Sequence, residues 1–148
     1  LLVEEDECWF SRFVQAHAWA EAGESLRLVQ REPKRDETDK ALACFGVLRH
    51  DTNEVLLSFS AGQPNSVQMW LFIIGLLAVA RAEGKQVLVM IWDNASWHKS
   101  ADLRAWIQTY NRAAKAAGEP RLLTHLLPVK SPWLNPIEPH WVHAKRGV

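Results

Sequence analysis

The sequence predicts an α/β domain built on a mixed five-stranded sheet flanked by helices. Three observations carry that expectation. Residues 41–48 and 54–60 are strand-like runs separated by His50-Asp51-Thr52-Asn53, a hairpin signature. Residues 87–92 form an unbroken apolar run that stops at Asp93, as expected of a central strand covered on both faces. Around that run, helical and strand-like segments alternate, which places helices against a partly parallel sheet.

The elements follow in order. Residues 1–7 read as a short strand ending in acids, residues 9–28 are ambiguous, and residues 30–40 are a loop by composition. After the hairpin, Ala61-Gly62-Gln63-Pro64-Asn65 punctuates the chain. Residues 67–83 are helical by length and apolar nearly all round, which places them in a core or against a partner subunit, and Gly84 closes the segment. Ser100 caps a further helix with Leu103, Trp106, Ile107, Tyr110 and Ala114 at helical spacing, stopped by Gly118. Residues 121–127 are another strand. Asn135-Pro136 opens a last helix carrying Glu138, Trp141, Val142 and Lys145, with Pro at the first helical position. Three strands, then helix, strand, helix, strand, helix is the order of the ribonuclease H-like fold.

A chain of 148 residues, 48% hydrophobic and 23% charged, suits one domain spanning 1–148. The longest apolar run, residues 69–80, is shorter than the roughly 20 residues that cross a bilayer, so no membrane partner is expected. The two cysteines, Cys8 and Cys44, show no metal-binding or disulfide spacing, which fits a reducing, intracellular setting. Zero net charge does not favour nucleic acid, yet the charge is uneven. Residues 1–39 hold ten acids against five bases, whereas residues 94–148 hold eight bases against three acids. The two regions are able to meet at one site, or to remain separate solvated faces.

Asp6 and Asp93 each end a predicted strand, and Glu138 lies one turn into a later helix, preceded by the Pro132 and Pro136 turns. In open α/β sheets ligands sit at the carboxyl edge of the strands. Three carboxylates converging there repel one another unless a cation neutralises them, and hard oxygen ligands select Mg²⁺ or Mn²⁺. Two such ions serve phosphodiester chemistry.

The stretch Trp92-Asp93-Asn94-Ala95-Ser96-Trp97-His98-Lys99-Ser100 resembles the "DNAs.H" block of DDE transposases, and residues 127–141, LPVKSPWLNPIEPHW, resemble their "LP..SP.LNPiE..W" block. The Asp6-Glu7 pair after an apolar strand resembles the family's first "DE". These transposases belong to bacterial insertion sequences akin to the Tc/mariner superfamily. The resemblance spans Asp6 to Lys145. It implies a ribonuclease H-like catalytic domain with Asp6, Asp93 and Glu138 as catalytic and metal-binding residues, Mg²⁺ with Mn²⁺ as substitute, and two ions. It further implies cleavage and strand transfer on double-stranded DNA at transposon ends and target, and a homodimer in the active complex. A bacterial, cytoplasmic, nucleoid-associated setting and an upstream helix-turn-helix region outside this chain complete the expectation. His98, Lys99, Lys130, Asn135 and Lys145 are the candidate nucleic-acid contacts, with His140, His143 and Arg146 behind them.

Forty-four residues separate Asp93 from Glu138, a long spacing for the family, so the helix and strand between them are expected to be lengthened. In the run Glu4-Glu5-Asp6-Glu7 the strand period puts Glu4 with Asp6 and Glu5 with Glu7 on opposite faces. Asp6 is the best match and Glu5 the fallback. Other readings stand beside these. Asp93-Asn94 fits an ordinary strand-to-loop turn, and Asn135-Pro136-Ile137-Glu138 fits a capping box that would make Glu138 structural. Trp97 and Trp133 are candidates for stacking on an unpaired base, whereas Trp92, Trp106 and Trp141 read as core. The competing functions are a ribonuclease H-like nuclease or resolvase without strand transfer, and an inactive copy retained for DNA binding or dimerisation.

Overall fold

The computed structural model describes residues 1–11 and 41–146. The polar loop expected at residues 30–40, and the ambiguous stretch from residue 12 onward, lie outside the described residues. Strands β1 (Leu2–Ser11), β2 (Ala41–Arg49) and β3 (Val55–Ala61) precede helix α1 (Ser66–Ala82). Strand β4 (Val87–Trp92), helix α2 (Ala101–Ala117), strand β5 (Arg121–Leu126), a 3-10 turn at Pro132–Leu134 and helix α3 (Glu138–Arg146) follow. The sheet order is β3-β2-β1-β4-β5, with β1 and β3 antiparallel to β2, and β4 parallel to both β1 and β5. This is the mixed five-stranded sheet that the sequence predicts.

Helices α1 and α2 cover one face and α3 the other. Val3, Phe45, Val47, Leu88, Met90, Trp92 and Leu122 of the sheet pack with Met69, Phe72, Ile73, Leu76 and Leu103 of the helices. Each large apolar side chain buried there stabilises the fold by about 1.5–3 kcal/mol. On the opposite face Cys8, Cys44 and Leu48 pack with Ile137 and Trp141. The apolar girdle of α1 is only half used, because Val67, Leu71 and Ile74 point outward and stay exposed. β4 likewise differs from expectation: Leu88, Met90 and Trp92 are buried beneath the helices, while Val87, Val89 and Ile91 on the α3 face are only half-buried. α3 is too short to cover that face.

The helix ends follow local chemistry. Asn65 Oδ1 accepts from the N–H groups of Val67 and Gln68, both at 3.1 Å, and Ser100 Oγ accepts from Leu103 N–H at 3.2 Å. Gly118 ends α2 in the left-handed region at φ 69°, which a side chain disfavours. Arg49, buried at the end of β2, donates to both Asp51 of the hairpin turn and Glu83 at the end of α1, and so ties the two together.

Candidate active site

Alternation along β1 sorts its four acids between two environments. Val3 belongs to the core beneath α1 and α2, so Glu5 and Glu7 share that face; Cys8 lies beneath α3, so Glu4 and Asp6 share the other. The sequence placed Asp6 at the end of its strand, but β1 runs on to Ser11 and pairs with β2 as far as Ser11↔Ala41. Asp6 therefore lies mid-strand, and the edge that matters is set by the shorter β4. The parallel register runs from Leu2↔Val89 to Glu4↔Ile91 and β4 ends at Trp92, so Asp93 leaves the sheet just beyond its pairing with β1.

Glu138 approaches Asp6 from a different local structure than expected. It is the first residue of α3, not one turn inside it, and Pro136 and Ile137 form the preceding turn. The backbone N–H of Glu138 donates to Asn135 C=O at 3.1 Å. The capping box does not form, because the Asn135 side chain is committed elsewhere: its amide donates to the Glu5 C=O of β1 at 3.1 Å. Asn135 is buried, and its Oδ1 has no hydrogen-bond partner.

Asp6 is buried, and Trp141 Nε1 donates to its Oδ2 at 2.8 Å. Burial, and then the negative charge of Glu138, push the Asp6 carboxyl up to about 7 against the opposing indole bond. Asp93 and Glu138 line one cleft of about 150 Å³ together with Asn94, Lys130, Ser131 and Asn135. Lys130 sits there with φ 58°, a left-handed conformation unusual for a residue with a side chain. Asn94 Nδ2 donates to Leu127 C=O at 2.6 Å and clamps the ends of β4 and β5.

On the other face a buried imidazole gathers three acids. His98 Nδ1 lies 3.0 Å from Asp93 Oδ1, and His98 Nε2 lies 3.1 Å from Glu7 Oε1 and 3.3 Å from Glu5 Oε2. The last approach is an ion-pair distance without hydrogen-bond geometry, and both Glu5 oxygens are buried without a hydrogen-bond partner. Burial alone would lower the His98 pKa, but hydrogen bonds donated to Asp93 and Glu7 and the charges of Glu5 and Glu7 lift it to about 10. The ring also stacks on Trp92 with centroids 4.5 Å apart, a favourable seat for an imidazolium. Trp97 Nε1 donates to Glu7 at 2.7 Å. The His98 bond, followed by the Ala95 N–H, holds the Asp93 carboxyl below its usual value in spite of partial burial. Desolvation, and next the charge of Glu7, hold Glu5 well above the carboxylate range. Glu5, Glu7 and His98 also have the spacing of a metal site.

The structure thus sets Glu138 beside Asp6 and lines one cleft with Glu138 and Asp93, while the Asp93 carboxylate is held by His98. Of the candidate nucleic-acid contacts, Lys130 lines the cleft and Lys99 is exposed near Asp93. Lys145 lies in the last turn of α3, where its charge acts on Cys8 rather than on the cleft. His98 and Asn135 are enclosed, with 4% and 3% of their surfaces exposed. Sequence reasoning missed the bond from Trp141 to Asp6 and the roles of Glu5, Glu7 and Trp97. A signal existed in four consecutive acids on an apolar strand, since buried carboxylates require partners.

A mixed sheet in this strand order with helices on both faces has the ribonuclease H-like fold. The solved structures that the chain resembles agree. The Mos1 strand transfer complex matches with TM-score 0.54 at 18% identity, over 99% of this chain and 40% of that one. The pre-cleavage Mos1 transpososome matches with TM-score 0.56 at 16% identity, over 99% and 42%. The mariner Mos1 paired end complex with Mg matches with TM-score 0.56 at 18% identity, over 99% and 41%. This chain therefore spans about two fifths of the Mos1 chains. No curated protein matches it by sequence. The family model described as DDE superfamily endonuclease matches residues 6–148, and the chain belongs to that family.

Proposed function

We propose that residues 1–148 form the catalytic domain of a transposase that cleaves double-stranded DNA at transposon ends and joins it to a target. The observation that carries this reading is the closeness of Asp6 to Glu138, which in turn lines one cleft with Asp93. The family membership supports it, as does the likeness to Mos1 complexes with transposon ends and with Mg or Mn. In this reading Asp6, Asp93 and Glu138 are the catalytic carboxylates, and the active complex contains two copies of the protein on DNA.

The donor set fits a divalent cation. A carboxyl raised to about 7 by burial and by a neighbouring acid belongs to a group of acids short of positive charge. Mg²⁺ or Mn²⁺, as a pair of ions held by Asp6, Asp93 and Glu138, would supply activation of the attacking oxygen and stabilisation of the leaving one. The chain's own residues do the positioning. Trp141 fixes the rotamer of Asp6, and His98 orients Asp93 while Ala95 N–H holds the same oxygen. Asn135 ties the Glu138 turn to β1. Lys130 and Lys99 are placed to meet phosphates, with Lys145 more distant, whereas His98 and Asn135 serve as supports.

The test is incubation of the protein with the end DNA of its element, with and without Mg²⁺. Nicks at the boundary and joined products, both dependent on the metal and both lost in Asp93→Asn, are expected. Cleavage without joined products would reduce the reading to a nuclease or resolvase, and metal-independent nicking would remove the three carboxylates from it. No helix among the described residues is long and apolar enough to cross a membrane.

A further inference from the structure

From Val55 to Ala80 the chain carries no charged residue, and that stretch forms β3 and nearly all of α1. β3 lies at one edge of the sheet, with β2 on one side only. The bonds from Arg49 N–H to Glu54 C=O at 2.9 Å and from Gly62 N–H to Ala41 C=O at 2.8 Å bracket its ladder. Antiparallel alternation from those two pairs turns the N–H and C=O groups of Val55, Leu57 and Phe59 away from β2, toward the open edge. Open edges are ordinarily guarded by charge or proline, and β5 at the opposite edge carries Arg121 and His125. β3 carries neither. Behind its edge lies a cavity of about 460 Å³ lined by Leu56, Ser58, Leu71, Phe72, Gly75 and Val79. Leu57, Phe59 and Leu71 stand 49%, 55% and 65% exposed. Gly75 is exposed mid-helix, and a Cβ there would meet nothing within 4 Å. No contact among the described residues therefore requires a glycine that costs about 1 kcal/mol against alanine, whereas the close approach of another chain would.

We propose that this edge and groove form the interface between two copies of the chain, β3 pairing antiparallel with β3 of the second copy across a two-fold axis at Ser58. The proposal rests on the transposase reading for the number of copies and adds the surface through which they meet. Three arguments select a second copy as the occupant. An uncharged face offers nothing to the phosphates of DNA or to a charged peptide. β3 runs over seven residues from Val55 to Ala61, so an axis at its midpoint, Ser58, pairs the whole strand with its counterpart and covers both open edges at once. In that register Leu57 lies opposite Phe59 of the second copy, an aliphatic-aromatic pair. The area also suffices. An edge about 24 Å long and about 20 Å deep, through one strand layer and one helix, gives roughly 500 Å² per copy and roughly 1,000 Å² in total, the lower bound for a specific contact. Such an interface makes a reversible dimer, which a shared DNA molecule would strengthen.

Sedimentation velocity of the protein from about 1 to 100 µM, without DNA, should show a monomer–dimer equilibrium. Phe59→Lys and Leu71→Lys put a charge on the edge and on the groove wall, and each should weaken dimerisation by about tenfold or more while the monomer stays folded. Leu123→Lys, at a 50% exposed leucine of β5, should leave dimerisation unchanged. Ser58→Cys should couple to itself with a short bismaleimide, because the axis brings the two side chains together. The parent, whose two cysteines are buried, should not couple, nor should Thr109→Cys on the exposed side of α2. The cross-link reads the interface even where a lysine variant loses its fold. A protein that is monomeric at every concentration overturns the proposal, whether its edge is open or covered by another part of the chain. So does a dimer that persists in both lysine variants, that Leu123→Lys weakens equally, or in which Ser58→Cys does not couple. If a monomeric protein nicks transposon ends with Mg²⁺, this proposal alone fails; if dimers form through this edge and no DNA is cut, the interface stands and the transposase reading fails.

Discussion

Gly46→Ala tests whether the sheet itself positions the carboxylates. A Cβ at Gly46 would lie 2.7 Å from Trp141 Cζ2 and 3.1 Å from Leu57 Cδ2, where carbon pairs prefer about 3.5–4.0 Å. The obstruction is the buried ring whose N–H donates to Asp6, and Asp6 is the residue paired with Gly46 across β1 and β2. Overpacking of this kind costs about 1–3 kcal/mol. Displacing the indole also strips a buried acceptor of its donor, at about 1–3 kcal/mol. A total of about 2–6 kcal/mol corresponds to a fall of about 6–20 °C in Tm for a chain of this size. Nicking should fall further than stability at the assay temperature explains, because α3 carries both Trp141 and Glu138. Thermal melting of Gly46→Ala, Trp141→Phe and the double variant measures the coupling. The smaller phenyl ring makes room for the methyl group, so the double variant should recover at least about 1 kcal/mol relative to the sum of the single changes. Strictly additive losses, or a Gly46→Ala protein that melts with the parent, would refute the argument that this glycine exists to seat Trp141.

Three further outcomes are expected. Asp93→Asn should abolish Mg²⁺-dependent nicking while shifting Tm little, since Asp93 is half exposed at the strand end; retained nicking would remove it from the site. Glu138→Gln should leave the metal-free protein as stable as the parent or slightly more so, because it relieves the pressure on Asp6, while the Mg²⁺-induced rise in Tm shrinks and nicking falls by orders of magnitude. An undiminished metal effect in that variant would exclude Glu138 as a ligand. The Arg49 network should add acid sensitivity: Asp51 and Glu83 are held below their usual values mainly by hydrogen bonds from Arg49. Depressed carboxyls stabilise the fold above their unfolded pKa of about 4, and the benefit is lost as pH falls through the lower folded values. Arg49→Gln should flatten the dependence of Tm on pH below about 4, and an unchanged slope would show that the network carries no linkage.

The second half of the fold was legible because its signals are local. Residues 87–92 bound β4 as the apolar run predicts, and Ser100 and Gly118 cap α2 as their side-chain chemistry dictates. β1 was read too short because its last residues, Cys8 to Ser11, owe their extended state to pairing with β2, a partner distant in sequence. The α3 start was misplaced for a similar reason. Asn-Pro with Glu three residues on is a sound local capping signal, but a bond from Asn135 to β1 outcompetes it and delays the helix to Glu138. Local propensity lost to tertiary contact at both positions, and both adjoin the site.

The choice between Asp6 and Glu5 follows from the same division of faces. Among the described residues, Glu5 and Glu7 meet a cation that the chain supplies, His98, in a dry cluster that also grips Asp93. Asp6 meets an indole and the charge of Glu138, and no Lys, Arg or His of the described residues forms an ion pair with it. Glu5 and Glu7 therefore have an ion-pair partner among the chain's own side chains, and Asp6 has none among the described residues. A divalent ion entering beside Glu5 would have to displace an imidazolium that three acids hold in place, whereas an ion beside Asp6 relieves a repulsion already present. Asp6 adjoins Glu138, which lines the cleft with Asp93. In the proposed reading the fallback residue belongs to the scaffold for Asp93, and Asp6 is the carboxylate that binds an incoming cation.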